Sequence, residues 1–327
     1  MSKPRVFATR SFLPEGLEKL KAAVDLDLWP GDLPPSRQEL LEHVRGVDGL
    51  LSLLTDKIDA EVMDAAGPSL KVISNHAVGF DNIDIPAATA RRIPVGNTPG
   101  ILTDATADFA FTLLLSAARR VVEADHYVRT GQWKTWGPAI LLGADLSGST
   151  LGLVGFGRIG QAVAKRAAGF NMRIVYYDPQ QPPNPDLPAQ PTDLNSLLSQ
   201  SDFVSLHVPL NEITRHMMND QAFDLMKPTA VLINTARGPI VDQDALYRAL
   251  NERRIAAAAL DVTDPEPLPM DSPLLSLDNL TIAPHIASAS LETRRKMGLM
   301  AVENLLAGLN LQRLPNPVNP EVYQVQP

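Results

Sequence analysis

The chain has 327 residues, of which 45% are hydrophobic and 20% charged, too long for one core and too apolar for disorder, so two folded domains are expected. Its formal net charge is −8 and it carries no basic run, which excludes a phosphate-backbone binder and predicts no nucleic-acid partner. It has no cysteine, which excludes disulfides, thiolate catalysis and Cys-based metal sites, and its longest apolar stretch, about residues 109–118, is too short for a bilayer. With no signal-peptide core at the N-terminus either, a cytoplasmic protein without membrane association is expected.

Strand patterns are predicted at residues 5–9, 25–29, 49–54, 70–75 and 94–96, with helical patterns between them at 15–24, 37–44, 60–66 and 86–91. This alternation predicts a small parallel α/β unit. Next comes one long helix over 103–130, with Thr103 as cap, Asp104 and Asp108 in its early turns and Gly131 as its stop. A second alternating series has strands at 150–154, 172–177, 203–206, 230–233, 256–260 and 280–283, with helices at 158–170, 193–199, 220–226 and 242–250. The proline-rich residues 180–191 read as an exposed loop. A last helix at 291–309 is expected to pack back on the first unit. Residues 1–100 and 288–327 would then form one domain, with 101–287 a nucleotide-binding domain inserted in it. The expected fold is α/β, with two Rossmann-like or flavodoxin-like domains built on parallel sheets.

The most informative motif is Leu-Gly-Leu-Val-Gly-Phe-Gly-Arg-Ile-Gly at 151–160. Gly155, Gly157 and Gly160 follow a strand and open a helix, so the first allows the turn and the second clears space for a pyrophosphate. The third lets helix and strand pack, while the helix-start amides around Arg158 and Ile159 attract phosphate. Asp178 ends the next strand, where a carboxylate accepts from ribose hydroxyls and repels a 2′-phosphate. No Lys or Arg lies between Arg173 and Arg215, so NAD(H) is favoured over NADP(H). The competing reading is that Asp178 only closes a turn before Pro179.

Ligands of an open parallel sheet bind beyond the carboxyl ends of its strands. There the sequence places His207-Val208-Pro209, Asn234-Thr235-Ala236-Arg237-Gly238, Asp261 with Glu266 shortly after, and His285 to Ser288. Arg237 suits a two-pronged grip on a carboxylate. His285 suits proton donation to a carbonyl oxygen, with Glu266 orienting the imidazole. Together they suit reduction of a 2-oxo acid. Taken singly each has a plainer reading: a loop histidine, a surface charge, an arginine tying loop to sheet. His43, His76, His126, His207 and His216 form no metal-ligand spacing, so no metal is expected, and no G-x-S-x-G elbow appears.

These motifs, with Ile-Asn-Thr-Ala-Arg-Gly at 233–238, Leu-Asp-Val-Thr-Asp-Pro-Glu-Pro at 260–267, Pro-His-Ile-Ala-Ser-Ala at 284–289 and Asn-His-Ala-Val-Gly-Phe-Asp-Asn-Ile-Asp at 75–84, resemble the D-isomer-specific 2-hydroxyacid dehydrogenases. The similarity covers essentially the whole chain and is closest to the branch that reduces glyoxylate and hydroxypyruvate. It implies a catalytic Arg237–Glu266–His285 set and a substrate carboxylate on the Val78 and Gly79 amides. Thr106, Asp261 and Ser288 would lie near the nicotinamide, along the cofactor edge with His207, Val208, Pro209, Thr235 and Ala236. A homodimer joined through the long-helix region is also implied, with the segment from Trp133 to Trp136 near the partner. Rival activities on this scaffold are another D-2-hydroxyacid dehydrogenase, a phosphite dehydrogenase, or a non-catalytic NAD(H)-sensing corepressor. One departure from the family pattern is Ala287, where His-Ile-Gly-Ser is common.

Overall fold

Two parallel sheets organise the chain, and the computed structural model describes residues 3–324. The described residues form two compact units, 3–102 with 289–324, and Thr103–Ser288.

The first unit holds strands β1 (Arg5–Ala8), β2 (Asp25–Leu28), β3 (Gly49–Ser52), β4 (Val72–Asn75) and β5 (Val95–Gly96). Its first helices are α1 (Pro14–Ala23), α2 (Arg37–His43), α3 (Ala60–Ala66) and α4 (Ile85–Ala90). The all-parallel order β2-β1-β3-β4-β5 is that of flavodoxin-like sheets. The central strands β3 and β4 bury every residue, as a sheet covered on both faces requires. Short polar side chains start the helices: Ser36 forms a capping box with Glu39, while Asp59 and Asp84 accept the Val62 and Ala87 amides.

The second unit begins with α5 (Thr103–Ala118) and α6 (Val121–Arg129). It continues through β6 (Thr150–Val154), α7 (Arg158–Ala168), β7 (Arg173–Tyr177), β8 (Ala189–Pro191), α8 (Leu194–Gln200) and β9 (Phe203–Leu206). It ends with α9 (Asp220–Leu225), β10 (Val231–Asn234), α10 (Gln243–Asn251), β11 (Ala257–Leu260) and β12 (Leu280–Ile282). The sheet order β12-β11-β10-β9-β6-β7-β8 is the Rossmann order with one added edge strand. The chain then returns to the first unit as α11 (Leu291–Leu309). There Ala301, Val302, Leu305 and Leu309 join Val6, Ala8, Leu51 and Val72 in one core, so the second unit is an insertion in the first.

Two elements differ from the sequence expectation. The single helix expected over 103–130 is broken at Arg120, whose φ is +54°. The Ala118 carbonyl, which a continued helix would pair with residue 122, accepts the Ala144 N–H at 2.8 Å instead. Gly131, at φ +70°, does end α6, with Gln132 N–H returning to the Tyr127 carbonyl at 3.0 Å. The second difference is β8, which lies inside the expected loop and pairs parallel with β7. An edge strand tolerates the proline that argues against a central one. Among the described residues no helix is long and apolar enough to cross a membrane.

Candidate active site

The carboxyl ends of six neighbouring strands are level. Tyr177 pairs with Val154, Val154 with Leu206, Leu206 with Asn234, Asn234 with Leu260 and Leu260 with Ile282. Asp178, Gly155, His207, Thr235, Asp261 and Ala283 therefore leave the sheet along one edge.

At β6 the three glycines have distinct reasons to be glycine. Gly155 has φ +97°, and a Cβ there would lie 2.6 Å from the His207 backbone. A Cβ at Gly160 would lie 2.2 Å from the Gly155 carbonyl, which fixes how closely α7 packs. A Cβ at Gly157 would meet nothing within 4 Å. This open space lies at the N-cap of α7, which no side chain caps, so the first-turn amides around Arg158 and Ile159 are available to an anion. The cradle fits the pyrophosphate of a dinucleotide.

Asp178 accepts two main-chain hydrogen bonds. Its Oδ2 accepts the Phe156 N–H at 2.9 Å and its Oδ1 accepts the Gln180 N–H at 3.0 Å, so it braces the glycine loop and closes the turn. Each oxygen keeps a lone pair for a ribose hydroxyl. Further along the edge, the buried Thr235 Oγ1 has no protein partner, an orphaned hydroxyl where a ligand is expected. Half-buried His207 meets the Ser205 hydroxyl at 2.9 Å through Nε2, and burial pushes its pKa down to about 4, so the ring is neutral at neutral pH. Val208 is half-buried, Pro209 exposed, and Thr106 buried within α5.

Arg237 follows β10 on a turn held by buried Asn234. Asn234 donates to the Arg237 carbonyl at 2.8 Å and accepts the Ala236 N–H at 3.0 Å, while Arg237 Nη1 bonds the Ala236 carbonyl at 2.8 Å. At Gly238 a Cβ would lie 1.8 Å from the Thr263 carbonyl, so the turn carrying Arg237 passes directly against the loop leading to Glu266. That loop is clamped by Gln243, whose Oε1 accepts the Asp264 N–H at 3.0 Å and whose Nε2 donates to the Asp264 carbonyl. Sequence reading missed Gln243, because a polar residue in a helix's first turn carries no motif.

Beyond β12, His285 sits at φ +55° with its N–H on the Asp261 carbonyl at 2.8 Å. The Asp261 carboxylate accepts the Ile286 and Ala287 amides, both at 2.8 Å, and so fixes this turn. Burial raises the Asp261 pKa, against the opposing pull of those two backbone bonds. Ala287, where the family often has glycine, is buried with its amide engaged. Ser288 is half-buried next in line. His285 Nδ1 lies 2.5 Å from Glu266 Oε1, with side-chain exposures of 20% and 35%. The pair is thus within reach of solvent and of a small ligand. Because Nδ1 faces the carboxylate, Nε2 is the nitrogen left to exchange a proton.

Val78 and Gly79 follow β4 in the first unit. Their carbonyls accept Asn97 Nδ2 at 2.7 Å and Asn75 Nδ2 at 3.0 Å, which sets the orientation of their peptides.

A Rossmann sheet with a glycine cradle, an acid closing the second strand and a glutamate-backed imidazole along one edge defines a nicotinamide-dinucleotide oxidoreductase. The family model described as D-isomer specific 2-hydroxyacid dehydrogenase, NAD binding domain, matches residues 111–287. The chain is 55% identical over 328 residues to the glyoxylate reductase of Korarchaeum cryptofilum (strain OPF8), covering 99% of this chain and 98% of that one. Among solved structures, the TT0316 protein of Thermus thermophilus superposes with a TM-score of 0.91 at 50% identity, covering 96% of this chain and 99% of that one. The NADPH-dependent glyoxylate/hydroxypyruvate reductase of Sinorhizobium meliloti, solved with NADP and malonate, gives a TM-score of 0.86 at 33% identity, with 100% of both chains covered. The chain belongs to the D-isomer specific 2-hydroxyacid dehydrogenase family, and is an enzyme that reduces small 2-oxo acids with a nicotinamide cofactor.

Proposed function

We propose that the enzyme uses NADH to reduce glyoxylate to glycolate and hydroxypyruvate to D-glycerate, with His285 as general acid. The observation that carries this reading is the 2.5 Å contact of His285 Nδ1 with Glu266, on the same sheet edge as the glycine cradle. The names of the relatives support the choice of substrates.

Arg237 takes the substrate carboxylate in a planar, two-bonded grip. When bound, the reduced nicotinamide supplies a hydride to C2. The carbonyl electron pair that this displaces takes the proton from His285 Nε2, and Glu266 stabilises the imidazolium that donates it. The cofactor is held by Gly155, Gly157, Arg158, Ile159 and Gly160 at the pyrophosphate. Thr106, His207, Val208, Pro209, Thr235, Ala236, Asp261 and Ser288 serve the nicotinamide side. The working form is a homodimer, supported by the exposed apolar side chains of Val121, Val122, Val128, Trp133, Trp136 and Leu142 on α6 and the segment after it.

Purified protein is expected to oxidise NADH with glyoxylate and with hydroxypyruvate, followed at the nicotinamide absorbance. Turnover with neither acid overturns the substrate assignment. Asp178 carries the cofactor preference, since its carboxylate repels a 2′-phosphate. Asp178→Ser is therefore expected to narrow the NADH/NADPH ratio of kcat/KM by about tenfold or more, the range of one lost charge-assisted contact. An unchanged ratio rejects Asp178 as the selector.

A further inference from the structure

Both main-chain polar groups of Phe156, which belong to the two peptides flanking it, are held by side chains. The Phe156 N–H donates to Asp178 Oδ2 at 2.9 Å, and the Phe156 carbonyl accepts Gln161 Nε2 at 2.9 Å. Gln161 Oε1 accepts Asn184 Nδ2 at 2.9 Å, and Asn184 Oδ1 accepts the Asp186 N–H at 3.0 Å. Because a carbonyl only accepts, the Gln161 amide must face it with nitrogen, and the direction of the remaining bonds follows. The Phe156 ring is fully buried and stacked on Tyr176 at 3.9 Å between centroids, so the residue cannot swing to satisfy its own backbone elsewhere.

We propose that Gln161, braced by Asn184, is a positioning residue for the dinucleotide. The N–H of a trans peptide points opposite its carbonyl. By holding the Phe156 carbonyl, Gln161 fixes the direction of the Gly157 N–H, on a residue whose Cβ position is open, with nothing within 4 Å. Through Asn184 it also ties the segment after Asp178 to the same loop, so the phosphate cradle and the ribose carboxylate are set by one chain of hydrogen bonds. Gln161 and Asn184 line an open cavity of about 390 Å³ with Lys165, so water can replace their bonds in part and the expected loss is limited. The inference rests on the nucleotide site proposed above.

The test is titration of NADH fluorescence with the full chain and no 2-oxo acid present. Gln161→Met keeps the side chain's length and removes both polar atoms. It is expected to raise the NADH Kd roughly tenfold, the upper range of one partly solvated hydrogen bond. Asn184→Ala is expected to raise it about threefold, and the double variant no further than Gln161→Met, since the two act as one unit. The KM for NADH should rise with Kd while kcat at saturating NADH changes less than about twofold. A wild-type Kd in Gln161→Met, or fully additive losses in the double variant, overturns the inference; should that variant not fold, a wild-type Kd in Asn184→Ala does so. Failure of the wild-type chain to bind NADH overturns the nucleotide site itself, a distinct result.

Discussion

Replacing His285 by alanine is expected to lower kcat for glyoxylate by roughly 10²–10⁴-fold, or about 3–5 kcal/mol of transition-state stabilisation. The size of the loss follows from how fully the imidazole is prepared. Glu266 holds Nδ1 at 2.5 Å, and Asp261 fixes the turn through the 285, 286 and 287 amides, so no reorganisation is needed before Nε2 gives its proton. The side chain is partly exposed and takes no part in either sheet, so its removal should leave the fold and NADH affinity near wild type. His285→Asn is the companion variant, because asparagine accepts the left-handed backbone that His285 adopts. A kcat near wild type in both variants removes His285 from the proton transfer. Loss of NADH binding in step with kcat would instead assign it to cofactor binding.

The cofactor half of the proposed site is readable in the sequence because its determinants are local. Gly155, Gly157, Gly160 and Asp178 fall within one strand–helix–strand passage, and their spacing carries the geometry. Arg237, Glu266 and His285 lie far apart in sequence, and what links them is that each follows a strand of a parallel sheet. The register from Tyr177 to Ile282 shows why that link holds: when strand ends are level, the residues just beyond them share an edge. The illegible features depend on tertiary partners. The break at Arg120 is made by Ala144 taking a helix carbonyl, and no pattern within 103–130 announces it. Gln161 and Gln243 brace the loops by bonding main-chain atoms, which any sequence presents equally.

Acid is expected to destabilise both units as pH falls from about 6.5 to about 4, beginning above the range of ordinary carboxylate protonation. His76 lies at the end of β4, buried, with its ring edge-on to Phe12 and its Nε2 without a hydrogen-bond partner. Burial, with the charge of Arg294 adding to it, pushes its pKa down from 6.5 to about 4. His207, in the other unit, is pushed down to about 4 by burial alone. In the unfolded chain both rings take a proton near pH 6.5, while the folded chain refuses it until about pH 4. The stability is therefore complete above 6.5 and is lost progressively on acidification through that window. The gap corresponds to about 3 kcal/mol for His76, with less from half-buried His207 because solvent screens it. Urea unfolding at pH 7 and pH 4.5 measures the loss. His76→Leu, which fills the same space without a titratable nitrogen, should flatten the pH dependence of the first unit and leave that of the second. Equal midpoints at the two pH values for the wild-type chain would mean that neither ring is held neutral by the fold.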